Sequence, residues 1–478
     1  MGGVLRIGIL QDAASLGDPP ALRSFQDFIL MNTSVESLGR YDTGGRIVPW
    51  LAEEFTEDPD ALTLTIRLKQ GIRFHDGTDF NAEAVKWNLD RFAEAGRSEF
   101  GGISSIDVID EYTVQITLES WDNTVSVGAG YFAGPMVSPT AFEANGADWA
   151  KLNPVGTGPF KLVNWERDSK QVYERNEDYW QEGLPYLDGV EWHIIADPVT
   201  AMASFQAGEL DAFIAVPGQN AADIEAAGGM ILTLETGIGA AMNGVVGDSG
   251  HPDSPFADVK VRQALGHAID QEAIVDAIQS GYGTVVNQWA REDSWAYNPD
   301  VVGYPYDPDR ARELLTEAGY PDGFETTIWA NNRGTGPQLA TAIQGFLADV
   351  GITANLEVVD FSVYNEHVVG GTWDGIIMFS SRVEADAALT MPRVLSANGL
   401  LFAKGIAHPD DMEALFATVR SEPDFDAKLG MVHELQRLAF DEYAFINPIA
   451  ISENLAAKYP YVHDDGINIT HGSNWTPE

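Results

Sequence analysis

The chain contains no cysteine. That excludes disulfides, thiolate metal sites and a cysteine nucleophile, and it leaves the redox compartment open. Lysine is scarce, at 9 of the 28 basic residues. No run approaches the roughly 20 consecutive apolar residues of a membrane-spanning helix. The 9 histidines lie far apart, and none forms a His-x-x-x-His pair of the kind that binds zinc. No Gly-x-Ser-x-Gly elbow, short repeat or low-complexity segment is present.

What the chain has in excess is negative charge. Its 72 acidic residues against 28 basic ones give a net charge of −44, a field that repels nucleic acid and anionic lipid, so neither is an expected partner. A carboxylate-rich, lysine-poor surface fits a protein that stays soluble in high salt, where screening removes self-repulsion. Saline adaptation is therefore an expectation. The length of 478 residues corresponds to about three domains at roughly 150 residues each. The amino terminus, M-G-G-V-L-R-I-G-I-L, has no basic n-region or long apolar h-region. It predicts a first strand over residues 5–10, and Met-Gly-Gly resembles an added scar from which a signal peptide has been removed.

Strand and helix patterns alternate along the chain. L-T-L-T-I-R-L (62–68) has the period-two pattern of a half-buried strand. Asn81 is placed to N-cap a helix beginning A-E-A-V-K-W-N-L. Residues 108–118 show strand periodicity, and residues 258–278 read as one helix through Val261, Leu265, Ala268, Ile269 and Ile274. Asp307 precedes P-D-R-A-R-E-L-L-T-E-A-G, a helix with Pro308 in its first turn and Gly319 at its end. A helix over 338–349 and a strand over 352–359 follow. The alternation predicts an α/β fold. The Gly/Pro/Asp-rich stretch G-V-V-G-D-S-G-H-P-D-S-P-F (244–256) is the best linker candidate, and a second lies near 447–451.

His75 beside Asp76 invites a catalytic or metal reading. Asp-Gly is among the commonest turn pairs, and adjacency supplies neither an orienting partner nor a nucleophile, so a turn between a strand and the Asn81-capped helix is the better reading. Metal ligation is not expected, and no cofactor is implied. G-T-G-P-F (156–160) lacks the Gly-Lys-Ser/Thr ending of a phosphate loop, and its proline removes a donor; a bend feeding a strand over 161–165 is expected instead. Trp87, Trp165 and Trp192 sit in periodic segments and read as core. Trp289 and Trp295 flank a loop, where aromatic rings line ligand clefts as often as they pack.

G-G-R-I-V-P-W-L-A-E-E-F followed by L-T-L-T-I-R-L-K-Q-G-I-R-F-H-D-G-T-D-F-N-A-E-A-V resembles the signature of the family 5 extracellular solute-binding proteins, the peptide, nickel and opine receptors of ABC importers. The likeness continues in N-P-V-G-T-G-P-F-K-L-V-N-W-E-R-D-S-K-Q-V-Y-E-R-N-E-D-Y-W (153–180). It recurs in F-Q-A-G-E-L-D-A (205–212), F-A-D-V-K-V-R-Q-A-L-G-H-A-I-D (256–270) and Y-D-P-D-R-A-R-E-L-L-T-E-A-G-Y-P-D-G-F (306–324). Five blocks in the right order are far more specific than any one of them.

The resemblance implies a two-lobed periplasmic-binding-protein fold of type II, in the large variant with an extra subdomain in lobe one. The implied division is 1–43 (lobe one), 44–152 (inserted subdomain), 153–243 (lobe one), 244–448 (lobe two) and 449–478 (return to lobe one). It implies an extracytoplasmic monomer, in the periplasm or as a cell-surface lipoprotein, that traps a solute between closing lobes and delivers it to permease subunits without catalysis. A secreted hydrolase using two carboxylates is the competing class.

By position, Gln11, Asp12, Glu36, Tyr131 and Phe132 are ligand-contact candidates from lobe one. Trp289, Trp295, Arg333, Tyr364, Ser380, Ser381, Arg382, Glu384 and Asp386 are the candidates from lobe two. Peptide-binding relatives place an aspartate and an Asp-Pro pair after the W-D strand; here G-T-W-D-G-I-I-M-F is followed by S-S-R-V-E-A-D without Asp-Pro. Arg382 suits a carboxylate or a sugar hydroxyl, while Glu384 or Asp386 suits an amine. Oligopeptide, oligosaccharide and opine-like ligands all remain open.

Overall fold

Val4–Ile9 becomes the centre of a sheet rather than its edge. Ile7 and Ile9 point into a core shared with Trp192 and Ile214, and both neighbouring strands run parallel to it. In a computed structural model of the chain this sheet has seven strands. Their order is Met230–Leu234, Asn454–Lys458, Ala212–Val216, Val4–Ile9, Gly189–Ile194, Lys170–Arg175 and Phe160–Glu166. The structure describes residues 2–22, 25–42, 45–234, 241–383, 386–452 and 454–462. The chain divides into two compact units, Met1–Thr236 with Asn454–Glu478, and Gly237–Glu453.

The first unit is closed by its last strand. Asn454–Lys458 lies antiparallel between Ala212–Val216 and Met230–Leu234. Beyond it Tyr459 stacks on Phe205 with centroids 4.5 Å apart. Tyr461 donates to Asp211 at 2.9 Å, the carboxylate that also takes two bonds from the Arg6 guanidinium, at 2.7 and 3.0 Å.

A second sheet in this unit is antiparallel throughout, in the order Ala52–Asp58, Thr63–Leu68, Thr113–Leu118, Ile103–Asp110. Its period-two pattern buries Leu64, Ile66, Val114 and Ile116. The helix Ala82–Glu94 buries Val85, Leu89 and Phe92, and Asn81 caps it by accepting from the Ala84 amide at 3.1 Å. The strand periodicity over 108–118 belongs to a hairpin, Ile103–Asp110 and Thr113–Leu118, with Val114, Ile116 and Leu118 on its second strand. A two-residue turn preserves the alternation of apolar side chains, so periodicity alone does not register the reversal.

The H-D-G turn docks on the G-T-G-P-F bend. His75 N donates to Gly156 O at 2.8 Å, and its Nε2 meets Gly158 O at 2.8 Å. The bend lies so close to Ser34 that a β-carbon on Gly156 would come within 2.2 Å of the Ser34 carbonyl oxygen. Asp76 accepts from Ser138 and Thr78, each at 2.6 Å. Two of the quoted sequence blocks are thus halves of one contact.

The second unit is built on a six-stranded sheet, Gly283–Val285, Asn447–Ser452, Ala241–Gly247, Ile376–Arg382, Phe324–Asn331 and Ile352–Val359. Alternate residues of its strands enter two cores. Met242, Val246, Ile377 and Phe379 join one, with the helices Ala387–Leu395 and Phe425–Arg437. Val245, Ile376 and Met378 join the other, with Val259–Ala268, Pro308–Glu317 and Gly336–Asp349.

The helix predicted over 258–278 is two helices, Val259–Ala268 and Gln271–Gln279. Ile269 is extended, and Asp270 accepts from the Ala273 amide at 3.0 Å as the second N-cap. The aspartate offers the backbone a local partner that competes with helix propagation. The stretch 244–256 starts within Ala241–Gly247 and continues to Asp248, a buried carboxylate that accepts from Ser254 and from the Gly375 amide. The residues near 447–451 form most of Asn447–Ser452, just before the chain crosses back to the first unit.

Candidate functional site

In the first unit the carboxylate of Glu36 gathers four side-chain donors. It follows the helix Phe25–Met31, precedes the strand Gly39–Tyr41 and is buried. Oε1 accepts from Tyr179 OH at 2.7 Å and Trp50 Nε1 at 2.9 Å; Oε2 accepts from Thr157 Oγ1 at 2.8 Å and Trp180 Nε1 at 3.0 Å. Burial pushes this carboxyl above its ordinary range, and the four donors pull in the opposite direction. The same burial, with the Glu36 charge beside it, raises the Tyr179 phenol. The indoles of Trp50 and Trp180 meet edge to face at 5.6 Å, with the Lys69 ammonium 5.5 and 4.9 Å from their ring centres. The Arg40 guanidinium lies 4.1 Å over Trp50.

Asp12 is a second inward-facing carboxylate. It accepts from the Trp165 indole at 3.1 Å, from Gln171 at 3.0 Å and from the Asp168 amide at 2.9 Å, with Arg167 Nε at 3.4 Å. Gln11 beside it is exposed. Tyr131 and Phe132 end a π-helical turn, Gly128–Phe132, and are buried; Tyr131 stacks on Phe28 at 5.8 Å and leans on Tyr41 at 4.8 Å. The candidates of this unit therefore fall into three packed groups. Of the three tryptophans read as core, Trp192 is buried, whereas Trp87 and Trp165 are half-buried and turn their indole N–H groups to Glu143 and Asp12.

In the second unit Trp289 and Tyr364 pack on the strand Ile376–Arg382, which itself carries Ser380, Ser381 and Arg382. Trp289 is only 3% exposed and meets Phe379 edge-on at 5.3 Å. Gln436 holds its backbone through bonds of 3.2 and 3.1 Å. Tyr364 OH donates to Met378 O at 2.5 Å, and burial raises its phenol. Arg333 lies 4.2 Å over Phe361, whose ring stacks on Tyr364 at 6.3 Å. Ser380 is exposed, Ser381 half-buried, and Arg382 pairs with Ala241 in the sheet. Glu384 lies outside the described residues.

Asp386 is buried, and both its oxygens are engaged within the unit. One accepts from the Ala388 amide at 2.9 Å as the N-cap of Ala387–Leu395, and the other meets Lys428 Nζ at 2.6 Å. The Lys428 ammonium also lies 5.4 Å from the Trp295 ring, so one cation links two candidates. Nothing in the sequence marks Lys428 as their partner, because it stands 42 residues from Asp386 on a helix of its own. Trp180, by contrast, lies in a block already singled out, R-N-E-D-Y-W.

Among the described residues no group of three or more His, Asp or Glu stands close enough to hold a metal ion. No helix among them is long and apolar enough to cross a membrane.

Comparison with known proteins agrees with this architecture. The sequence profile of the bacterial extracellular solute-binding proteins, family 5 Middle, matches residues 46–398. The glutathione-binding protein GsiB of Salmonella typhi is 36% identical over 353 residues, covering 71% of this chain and 68% of that protein. The ABC transporter-associated periplasmic binding protein DppA from Helicobacter pylori, solved with the peptide STSA, superposes with a TM-score of 0.78 at 23% identity, over 99% of this chain and 98% of that one. The ABC transporter substrate-binding protein CtaP from Listeria monocytogenes gives a TM-score of 0.86 at 20% identity, over 99% of each chain. With the profile spanning most of the sequence and the fold shared end to end, this chain belongs to the family 5 extracellular solute-binding proteins, two-lobed receptors that serve ABC importers.

Proposed function

We propose that this receptor takes a short peptide-like solute, of the size and polarity of glutathione, and hands it to importer permeases without chemical change. The observation that carries the ligand class is the 36% identity to a glutathione-binding protein over 353 residues. A second observation disfavours a sugar held by stacking: Trp289, the foremost stacking candidate, is spent on the core of its own lobe. Exposed Gln11 of the first unit and the strand-borne Ser380, Ser381 and Arg382 of the second are our ligand-contact residues, together with Glu384 on its place in the sequence alone. Asp12, Glu36, Tyr364 and Asp386 serve by holding their surroundings in place. We further propose that the protein acts outside the cytoplasm as a monomer, with its acidic surface suited to a saline medium.

The test is a thermal-shift and calorimetric screen of the purified chain against reduced glutathione, a tripeptide, maltotriose and octopine, with product analysis. A solute at about 100-fold its dissociation constant should add roughly 2.7 kcal/mol of stability. Stabilisation by glutathione or the tripeptide, with the ligand recovered intact, supports the reading. Stabilisation by maltotriose or octopine alone overturns the ligand class, and turnover of any of them overturns the receptor.

A further inference from the structure

The lobe-two strand that carries our ligand contacts leads to a carboxylate whose charge is cancelled inside the protein. Asp386 lies four residues beyond Arg382, the last residue of Ile376–Arg382. An extended chain covers at most about 3.6 Å per residue, so its α-carbon stands within roughly 14 Å of that of Arg382. One Asp386 oxygen is 2.6 Å from Lys428 Nζ, and the other accepts from the Ala388 amide at 2.9 Å. Only 5% of the Asp386 side chain and 6% of the Lys428 side chain are exposed, so salt does little to loosen the pair.

Stability alone does not account for Lys428. A buried ion pair is often no more stabilising than a well-packed apolar pair of similar volume. Lys428 also closes the first turn of its own helix, behind the N-cap Asp424, where the helix dipole favours acidic side chains over cations. What its ammonium does achieve is neutrality at Asp386. Left unpaired, that carboxylate would add one more negative charge near the ligand contacts of a chain whose net charge is already −44.

Such a charge matters for the solute class proposed above. Reduced glutathione carries two carboxylates against one ammonium at neutral pH. At about 10 Å and an effective dielectric constant near 20, an unpaired charge changes affinity by up to roughly tenfold for each unit of ligand charge at low salt. We propose, on the basis of that reading of the transport site, that Lys428 is a specificity-determining residue. By neutralising Asp386 it lets lobe two receive the carboxylate-bearing end of an anionic solute beside Arg382, the one cation among our contact residues. Lys428 stays buried and acts through Asp386, as a positioning residue that sets the field at the site.

The experiment titrates the full chain at low salt, by calorimetry, with reduced glutathione and with its glycyl ethyl ester, which lacks one carboxylate charge. The readout is the ratio of the two dissociation constants. A loss of packing alone would leave this ratio unmoved, because the two ligands share almost every other group. Lys428→Met leaves Asp386 unpaired and should shift the ratio about three- to tenfold in favour of the ester. Asp386→Asn leaves the ammonium unpaired and should shift it by a similar factor in favour of glutathione. The double variant should return to within about twofold of the wild type. Asp386→Asn keeps the helix-capping oxygen, so the test survives should Lys428→Met fail to fold. A ratio that is the same in the wild type and the folded single variants overturns this inference and leaves the ligand class standing. A wild type that binds neither compound overturns the ligand class, and this inference with it.

Discussion

Tyr179 and Glu36, 143 residues apart in sequence, meet through a 2.7 Å hydrogen bond in the interior of lobe one. The bond is one of four that converge on a single carboxylate, and the donors come from separate stretches at Trp50, Thr157 and Tyr179–Trp180. A buried acceptor shared in this way ties loops together more effectively than any of them could be held by its own packing.

Glu36→Gln replaces one of the two accepting oxygens by an amide that donates. At least one indole or hydroxyl then faces another donor, and the expected loss is about 1–3 kcal/mol. Urea denaturation followed by tryptophan fluorescence measures it; a loss below about 0.5 kcal/mol would mean that the four bonds add little.

His75 carries a pH dependence whose sign is fixed by its burial. Loss of solvent holds its imidazole pKa at about 4, below the ordinary 6.5, so the folded state resists a proton that the unfolded chain accepts. Stability is therefore complete above about pH 6.5 and falls as the pH drops towards 4, by up to about 3 kcal/mol at roughly 1.4 kcal/mol for each tenfold in proton affinity. Stability–pH curves of wild type and His75→Ala should converge across that window, because the variant has no such proton to exclude. Its ligand affinity should be unchanged, since the imidazole serves the contact with Gly158.

Lys428 and Asp386 are both buried. Lys428→Met strands a carboxylate inside lobe two and should cost about 3–5 kcal/mol. Adding Asp386→Asn keeps the helix-capping oxygen while removing the charge, and should recover more than half of the loss. Thermal melts of the two proteins decide the point; no recovery would mean that the ammonium's contact with Trp295 outweighs its ion pair.

A net charge of −44 makes stability sensitive to screening. The melting temperature should climb steadily as NaCl is raised from about 0.1 M, where the screening length is roughly 10 Å, to about 1 M, where it is roughly 3 Å. A flat or falling profile would remove the case for saline adaptation.

Local signals in the sequence were strong where the chain decides its own conformation. Asn81, Asp307 and Pro308 announce helix starts because a cap acts over three or four residues, and the structure has caps or first turns at each. The strand Ile352–Val359 was legible for the same reason. The break at Ile269 was not, because apolar residues recur at helical spacing on both sides of it. The candidate residues show the same divide. Position in the chain pointed to Glu36 and Asp386 as groups of consequence, but their partners come from residues such as Thr157, Tyr179 and Lys428, and no pattern in one sequence reports contacts across that many intervening residues.

The strand Asn454–Lys458 sits between Ala212–Val216 and Met230–Leu234. During synthesis, then, lobe one is almost wholly made before lobe two begins, yet its sheet lacks an interior member until the second lobe has been translated. Lobe two, continuous from Gly237 to Glu453, has its whole sheet in hand first. Until residues 454–458 arrive, Met230–Leu234 has no neighbour to pair with and Ala212–Val216 is an open edge, a shape that invites strand exchange or a chaperone's grip. The lobe that starts first is the one that finishes last, so its sheet closes only after the whole of lobe two has been made.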